Sequence, residues 1–363
     1  ALATAGLRVA LFEREDLAAQ TSKACNGALL LQTKQPGPHL QLARHGLQLY
    51  RDLSARLDAD VGFRRHPGLS VGDEAVRPEM AKQAERLRSC GVPVEFHQGD
   101  LRHLERWLSP HLRCALSCPE EAQVDPWKVC LALAKALQSA GGQLRLAEPV
   151  VGLLRRGGRV IGVRTPKEEM QAAHTILSAG LGSRDLLAPL GVDLPLAAVR
   201  GQVLVTEPLE PALCHTVLAS SYVEAKWANN QEQDRISLVL EQTVDGNLLI
   251  GSTREAGKAS PDTSLPHLSA VAKCAQEHLP VLAAAKVIRC FAGVRPTSPD
   301  GLPWIGAVPG WEGLWLACGH GGDGMSLALA TAELIRDSLL GKPSEAVAPF
   351  APSRTLSPAL LPP

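Results

Sequence analysis

Residues 1–15, ALATAGLRVALFERE, carry the pattern that decides the fold. Gly6 follows an alanine-rich stretch typical of a helix end, and the apolar run from Leu7 to Phe12 predicts a short strand that stops at Glu13. A helix, a strand and an acid at the strand end form the second half of a βαβ nucleotide-binding unit, in which the acid hydrogen-bonds a ribose. The sequence therefore predicts an α/β fold with a Rossmann-like dinucleotide-binding domain.

The glycine-rich turn of such a unit precedes its helix and lies about 20 residues before the acid. With Glu13 as the acid, this turn would fall ahead of Ala1. The sequence also begins without Met. We therefore expect the domain to be incomplete at its N-terminus by roughly 15 to 20 residues, the ordinary spacing of the unit.

The composition favours a small-molecule partner. The 363 residues, 45% of them apolar, predict two domains with a large core. The 37 Lys and Arg residues balance 37 Asp and Glu residues, so no net charge draws the protein to nucleic acid or to an anionic membrane. No apolar run reaches the length of a membrane span.

Cysteine usage indicates a reducing compartment. The nine cysteines are odd in number and include no CxxC spacing, so we expect reduced thiols in a cytoplasmic protein. The 11 His residues never fall at ligand spacing with these cysteines, so no metal site is expected.

Apolar periodicity and turn residues predict the remaining elements. Helices are predicted at 39–57, 74–90, a piece ending near 107, 125–139 and 264–278. Strands are predicted at 63–71, from 92, within 143–165 around a Gly157-Gly158 hairpin turn, and through most of 200–251. The Pro- and Ala-rich residues beyond Gly341 predict a poorly ordered end.

Two further strand-turn-helix units contain glycine. In TILSAGLGSRDL, residues 175–186, a turn without bulky side chains lets a ligand approach the backbone. In LWLACGHGGDGMSLALATAELI, residues 314–335, a strand leads through four glycines to a helix near Met325, whose N-terminus would stabilise an electron-rich ring. Taken singly, these turns are also compatible with ordinary loops, and Glu13 with a solvated strand end.

Five segments in this order resemble the FAD-dependent D-amino-acid oxidase and glycine oxidase family. They are GLRVALFERE, TSKACNG, EAQVDPWKV, SAGLGSRDL, and GVRPTSPDGLPWIG paired with GHGGDGMSLALATAELI, the most specific match. The resemblance covers nearly the whole chain. It implies a Rossmann-like FAD-binding domain joined to a mixed-sheet α+β substrate domain. FAD is expected to be noncovalent, because no Cys matches the positions where some sarcosine oxidases tether it.

The resemblance also implies discontinuous domains. The FAD-binding domain is expected to comprise residues 1–36, 119–198 and 290–345. The substrate domain is expected to comprise residues 37–118 and 199–289, leaving 346–363 as a tail.

Site residues follow by matching motif positions. The residues matching cofactor contacts are Glu13, Arg14, Thr21, Ser22, Asn26, Gly27, Val151, Ala179, Gly180, Ser183, Gly319, Gly321, Gly322, Asp323, Gly324 and Met325. Arg295 matches the arginine that binds a substrate carboxylate, a role suited to a planar guanidinium. Its alternative is a structural arginine tied to backbone carbonyls near Pro296. His320 is a catalytic candidate that would tune the flavin, or else a packing histidine.

The implied activity is oxidation of the C–N bond of an amino acid or secondary amine of the glycine, sarcosine, proline or opine type. Hydride would pass to flavin N5, and water would hydrolyse the imine. Residues 222–255 resemble the branch of opine, hydroxyproline and cyanide-forming glycine dehydrogenases, which favours a dehydrogenase with possible partner subunits. The alternative is a catalytically silent remnant or structural subunit.

Overall fold

The computed structural model describes residues 1–227 and 234–357. Within these ranges the helices are α1 (Pro38–Arg51), α2 (Leu53–Leu57), α3 (Arg77–Ser89), α4 (Pro126–Ser139), α5 (Gly182–Leu187), α6 (Ser220–Trp227), α7 (Leu265–His278) and α8 (Gly324–Leu339). The strands are β1 (Ala10–Phe12), β2 (Ala28–Leu29), β3 (Arg64–Arg65), β4 (Gly68–Gly72), β5 (Glu95–Gln98), β6 (Cys114–Cys118), β7 (Ala122–Gln123), β8 (Gln143–Arg145), β9 (Gly152–Arg156), β10 (Arg159–Arg164), β11 (Glu169–Gln171), β12 (Thr175–Leu177), β13 (Ala197–Pro208), β14 (Thr216–Ala219), β15 (Arg235–Gln242), β16 (Asn247–Ala256), β17 (Val287–Thr297), β18 (Trp304–Ala307) and β19 (Leu314–Cys318).

The largest unit is a mixed eight-stranded sheet in the order β17-β13-β16-β15-β14-β4-β6-β5. The pair β14 and β4 is parallel, and the other neighbours are antiparallel. Helix α7 packs on one face, where Leu268, Val271 and Ala275 join the apolar core of the sheet. This arrangement matches the mixed-sheet α+β substrate domain that the resemblance implies.

The strands predicted to form the nucleotide-binding domain lie in two separate parallel pairs. β1 pairs with β8, and β12 pairs with β19, which β18 joins in the antiparallel sense. No hydrogen-bonded ladder joins these two sheets within the described part of the chain. β9, β10 and β11 form a meander beside them, with the predicted Gly157-Gly158 turn between β9 and β10.

Two long helices begin and pack as their sequences predict. Asp125 caps α4, since its carboxylate accepts the backbone N–H groups of Trp127 at 2.9 Å and Lys128 at 3.1 Å. In α8 the apolar positions recur at helical spacing, so Leu327, Ala330 and Leu334 enter one buried core with α1.

Three predicted elements differ in the structure. The helix predicted over 39–57 is divided at Asp52 into α1 and α2. The residues before Trp107 form turns instead of a helix, fixed by backbone bonds such as Leu104 N–H to the carbonyl of Leu101. Helix α6 interrupts the region predicted as mostly strand, and residues 228–233 of that region lie outside the described residues.

The end of the chain is packed up to residue 357, so the expectation of poor order is wrong there. Residues 345–350 form a 3₁₀ helix, and Phe350 and Leu356 are buried. Arg354 lies 5.3 Å from the centroid of Trp304 and donates to the carboxylate of Asp300 at 2.6 Å. The free energy of these apolar and cation–π contacts thus exceeds the entropy cost of ordering this Pro- and Ala-rich segment. Residues 358–363 of the predicted tail lie outside the described residues.

Candidate functional site

Three segments singled out in the sequence meet at one end of β17. The Thr21 hydroxyl donates to the carbonyl of Val294 at 2.6 Å. The backbone N–H of Gly321 donates to the carbonyl of Pro296 at 2.9 Å. A Cβ on Gly180 would have the Pro296 ring as its neighbour, at 3.8 Å. The fold therefore brings the loop 21–27 and both glycine turns to the strand that carries Arg295.

The Arg295 guanidinium lies on the large sheet. It donates to the carbonyls of Thr253 at 3.2 Å and Arg200 at 3.4 Å, and to Ser252 Oγ at 2.9 Å. A Cβ on Gly201 of β13 would collide with the guanidinium, so glycine is needed beneath it. These are bonds to backbone carbonyls of the kind that the structural alternative predicts, and they come from β13, which pairs with β17, and from β16. Both roles of Arg295 stay predictions.

Arg295 keeps its charge in this environment. Burial, followed by the neighbouring Arg254, lowers the pKa of Arg295 to about 10. The guanidinium is therefore positive at neutral pH and available to an anion.

The glycine turn before α8 is surrounded by cations. Asp323 ends the turn, and its carboxylate contacts Lys34 Nζ at 3.0 Å and Lys226 Nζ at 2.8 Å. Burial alone would raise the pKa of Asp323, but Lys226 and Lys34 hold it well below its usual value. Asp323, which matches a cofactor contact by sequence, is therefore committed to these lysines through its side chain. Lys226 comes from α6, a helix that the sequence did not predict.

His320 is held inside this turn. Its Nε2 atom lies 3.0 Å from Thr331 Oγ1, and burial lowers its pKa to about 4. The imidazole is therefore neutral at pH 7 and packs against α8, which supports the packing alternative over electrostatic tuning. His39, 3.6 Å from the Asp323 carboxylate, has its pKa lowered to about 4 by burial as well.

The loop 21–27, which is predicted to lie along the flavin, is hydrogen-bonded to the sheet by Glu241, a residue that the sequence did not single out. Glu241 of β15 is buried and accepts the backbone N–H of Gly27 at 2.9 Å. It also accepts from the Gln123 amide. Burial raises the pKa of Glu241 to about 6. Its only sequence signal is an acid within the apolar strand ISLVLEQ. Ser22 and Asn26 lie in the same loop, exposed and half-buried respectively.

The expected adenine end lies at the tips of β1 and β8. The Glu13 carbonyl accepts the backbone N–H of Glu148 at 2.9 Å, and Arg14 is exposed 3.5 Å from the Glu15 carboxylate. Val151 is 57% exposed although apolar. The structure thus places Glu13 and Val151 at one surface without bringing them to Arg295.

The second glycine turn presents backbone toward open space. Ala179 is exposed, and Gly180 has a left-handed φ of 55° that favours glycine. Ser183 in α5 is buried beside Cys318, so its side chain faces the core.

These turns have room for a planar cofactor. Cβ atoms built on Gly182 and Gly324 would meet protein only at 3.9 and 3.8 Å, and on Gly321 at 3.6 Å. Gly322 is exposed between Arg295 and Lys226, and Met325 follows on the first turn of α8. Gly319 is different, since its Cβ would meet Trp304 at 2.8 Å and its role is to let the turn pack. The remaining open glycines and the helix N-terminus fit a flavin.

The described residues include no candidate metal centre and no candidate membrane span. No cluster of His, Cys, Asp and Glu there could hold a metal ion. No helix there is long and apolar enough to cross a membrane. All nine cysteines are unpaired.

A family model described as FAD dependent oxidoreductase matches residues 1–338. The chain belongs to this family. Glycine oxidase from Pseudomonas putida is 38% identical over 324 residues, which cover 87% of this chain and 83% of that protein. Hydrogen cyanide synthase subunit HcnC from Pseudomonas protegens is 30% identical over 297 residues, which cover 79% of this chain and 66% of that protein.

The fold is similar to that of glycine oxidase from Geobacillus kaustophilus. The TM-score is 0.88 at 25% identity, and the superposition covers 98% of this chain and 94% of the other. The predicted family, its Rossmann-like α/β fold and FAD as cofactor are thereby confirmed. The domain boundaries and the individual cofactor contacts stay predictions.

Proposed function

We propose that this FAD-dependent oxidoreductase oxidises the C–N bond of an amino acid or secondary amine. The observation that carries the proposal is the convergence of Arg295, a half-buried guanidinium that keeps its charge, with the glycine turn that fits a flavin. Relatives described as glycine oxidase support the same substrate class.

Arg295 orients the substrate. A guanidinium can bind a carboxylate through two parallel hydrogen bonds, which fixes the α-carbon relative to the turn at Gly322. A Cβ on Gly322 would lie 3.3 Å from Arg295 Cδ, so the two are direct neighbours. Because binding has already fixed this geometry, the chemical step does not have to lose the translational and rotational entropy that two freely diffusing reactants would lose.

FAD supplies the hydride acceptor when it is bound. This chain's residues bind the carboxylate, keep the site positive and place backbone N–H groups of α8 beside the expected ring. No side-chain base is required if the amine binds in its neutral form. The imine product is then hydrolysed by water.

We assign the cofactor contacts to the matched positions of the site. The ribose is expected at Glu13, the adenine near Val151, and the flavin between the loop 21–27 and the turn 319–325. The binding is expected to be noncovalent. Cys25 in that loop supports this, because burial raises its pKa to about 12 and leaves a poor nucleophile.

The relative described as a subunit, HcnC, supports a second candidate, a dehydrogenase or structural subunit that works with partner chains. The unpaired cysteines support a reducing compartment such as the cytoplasm.

The test is a visible absorption spectrum of the protein purified with FAD. Bands of bound flavin that bleach anaerobically on addition of glycine, sarcosine or proline are expected. Recovery of the bands with oxygen, against recovery only with a quinone or a partner, separates an oxidase from a dehydrogenase. Bound flavin that no amine reduces would favour the structural subunit.

A further inference from the structure

The side chain of Arg254, in β16, lies on the same face of the large sheet as the side chain of Arg295. The side chains of Thr253 and Glu255 hydrogen-bond each other at 2.6 Å and so share the other face. Arg254 lies between them in the strand and extends to the opposite side. Ser252, two residues earlier, accepts the Arg295 guanidinium on that side.

Arg254 differs from Arg200 and Arg295, two other arginines of this sheet, in its contacts with the described residues. Its side chain is half-buried, and within the described ranges 1–227 and 234–357 no side-chain hydrogen bond or ion pair engages it. Arg200 on the adjoining strand β13 differs, because its guanidinium is bound by the carboxylate of Glu255. A partly buried arginine without a partner carries a desolvation cost that a bound anion would remove.

The surroundings of Arg254 are strongly positive. Lys226 and Lys34 contact the carboxylate of Asp323, while Arg254 lies close enough to add to the effect of burial in lowering the pKa of both Lys226 and Arg295. Glu255 also acts on Arg295 but is already bound to Arg200, so positive charge is in excess here among the described residues. Burial and then Arg254 lower the pKa of Arg295, which shows that the two guanidinium groups interact unfavourably. One substrate carboxylate at Arg295 would leave the positive charge of Arg254 without a bound anion.

We propose that Arg254 binds a second carboxylate of the substrate, and that the enzyme prefers dicarboxylic amines. The simplest is iminodiacetate, a secondary amine with a carboxylate on each side of the nitrogen. The inference rests on the proposed function, with Arg295 binding the first carboxylate. Sarcosine has the same framework with a methyl group in place of the second carboxymethyl group, so the pair isolates the contribution of one anion.

The reaction on iminodiacetate balances with groups already assigned. One C–H bond next to nitrogen breaks, its hydride goes to FAD, and the nitrogen loses its proton to solvent. Water then hydrolyses the imine to glycine and glyoxylate.

The first experiment compares KM for iminodiacetate and sarcosine in the wild type and in Arg254→Gln. A charge-assisted contact contributes roughly 1.5–3 kcal/mol, so KM for iminodiacetate is expected to rise at least about 10-fold in the variant. KM for sarcosine is expected to rise by a much smaller factor, because its one carboxylate at Arg295 feels the charge of Arg254 only at a distance. The matched control is Arg289→Gln, on the exposed end of β17, which should change neither constant.

The second experiment measures binding without turnover. Diglycolate and methoxyacetate repeat the same pair with oxygen in place of the amine nitrogen. We expect diglycolate to perturb the flavin spectrum of the holoenzyme at lower concentration than methoxyacetate. Arg254→Gln should remove that difference, while Arg289→Gln should retain it.

The outcomes separate the two proposals. If Arg254→Gln affects both members of each pair equally, or if the wild type binds sarcosine as well as iminodiacetate, the role of Arg254 is overturned while amine oxidation stands. If no amine reduces the flavin, the proposed function fails. In that case the diglycolate measurement still decides whether Arg254 binds the second carboxylate.

Discussion

At the scale of single residues, Arg295 carries the first prediction. Arg295→Lys keeps the positive charge but loses the planar fork that binds a carboxylate bidentately. With roughly 1.5–3 kcal/mol for a charge-assisted contact, we expect kcat/KM for glycine and sarcosine to fall about 10- to 100-fold.

The measurement for Arg295→Lys is steady-state kinetics together with the melting temperature. Arg289→Lys on the same strand is the control, because Arg289 is exposed. Unchanged kinetics in a folded Arg295→Lys variant would show that the guanidinium serves only the sheet carbonyls of Thr253 and Arg200.

Glu241 makes a pH prediction at the same scale. Its pKa of about 6, raised by burial from 4.5, means that the native state holds the proton more tightly than the unfolded chain. Its contribution to stability is therefore fully present below pH 4.5 and is lost as the pH rises through 6. The shift corresponds to about 2 kcal/mol, since one pKa unit is about 1.4 kcal/mol.

The check is the free energy of unfolding in urea at pH 4.5 and pH 7 for the wild type and Glu241→Gln. The difference between the two proteins should move by about 2 kcal/mol in favour of the variant at the higher pH. Glu79→Gln, an exposed change on α3, is the control. Identical pH slopes in the wild type and Glu241→Gln would contradict the assignment.

At the scale of elements, the contact between the loop 21–27 and the sheet makes a further prediction. A Cβ on Gly27 would collide with the Val124 carbonyl, and Gly27 also donates to Glu241. Gly27→Ala should therefore destabilise the protein by about 1–3 kcal/mol and weaken FAD retention. Gly152→Ala on β9 is the matched control, because no heavy atom lies within 4 Å of its Cβ position.

The readouts for Gly27→Ala are the melting temperature and the flavin retained after gel filtration. Loss of flavin with an unchanged melting temperature would show that the loop acts on the cofactor alone. Equal behaviour of the two glycine variants would remove the docking role of the loop.

The elements also show what the sequence can predict. Helix α4 follows from a local signal, a capping Asp125 with Pro126 beside it, and α8 from its glycine turn and apolar spacing. The roles of Lys226 and Glu241 depend on partners roughly 100 to 200 positions away in the chain. Local periodicity predicts helices and strands but not such long-range contacts. No local sequence pattern marks Arg254 either, because its proposed role depends on lying on the same sheet face as Arg295, which is distant in the sequence.

At the scale of the whole molecule, we expect the cofactor to bridge two sheets that no β-ladder connects in the described residues. The β1-β8 pair and the β12-β19-β18 sheet are not connected by a ladder in the described residues, and the proposed FAD contacts lie on both. A ligand that binds only the native state stabilises it by about 2.7 kcal/mol at 100 times its dissociation constant. FAD should therefore stabilise the nucleotide-binding part more than the eight-stranded sheet.

The experiment is hydrogen exchange and thermal unfolding of the protein with and without FAD. Removal of FAD should lower the melting temperature by several degrees, since about 2–3 kcal/mol is a large fraction of the stability of a typical domain. Backbone protection should fall most in β1, β8 and the turn before α8, because the proposed FAD contacts lie in or beside these segments. Protection in β13 and β16, which each pair with two neighbouring strands, should change least. A uniform loss of protection would mean that the two sheets already unfold as one cooperative unit without FAD.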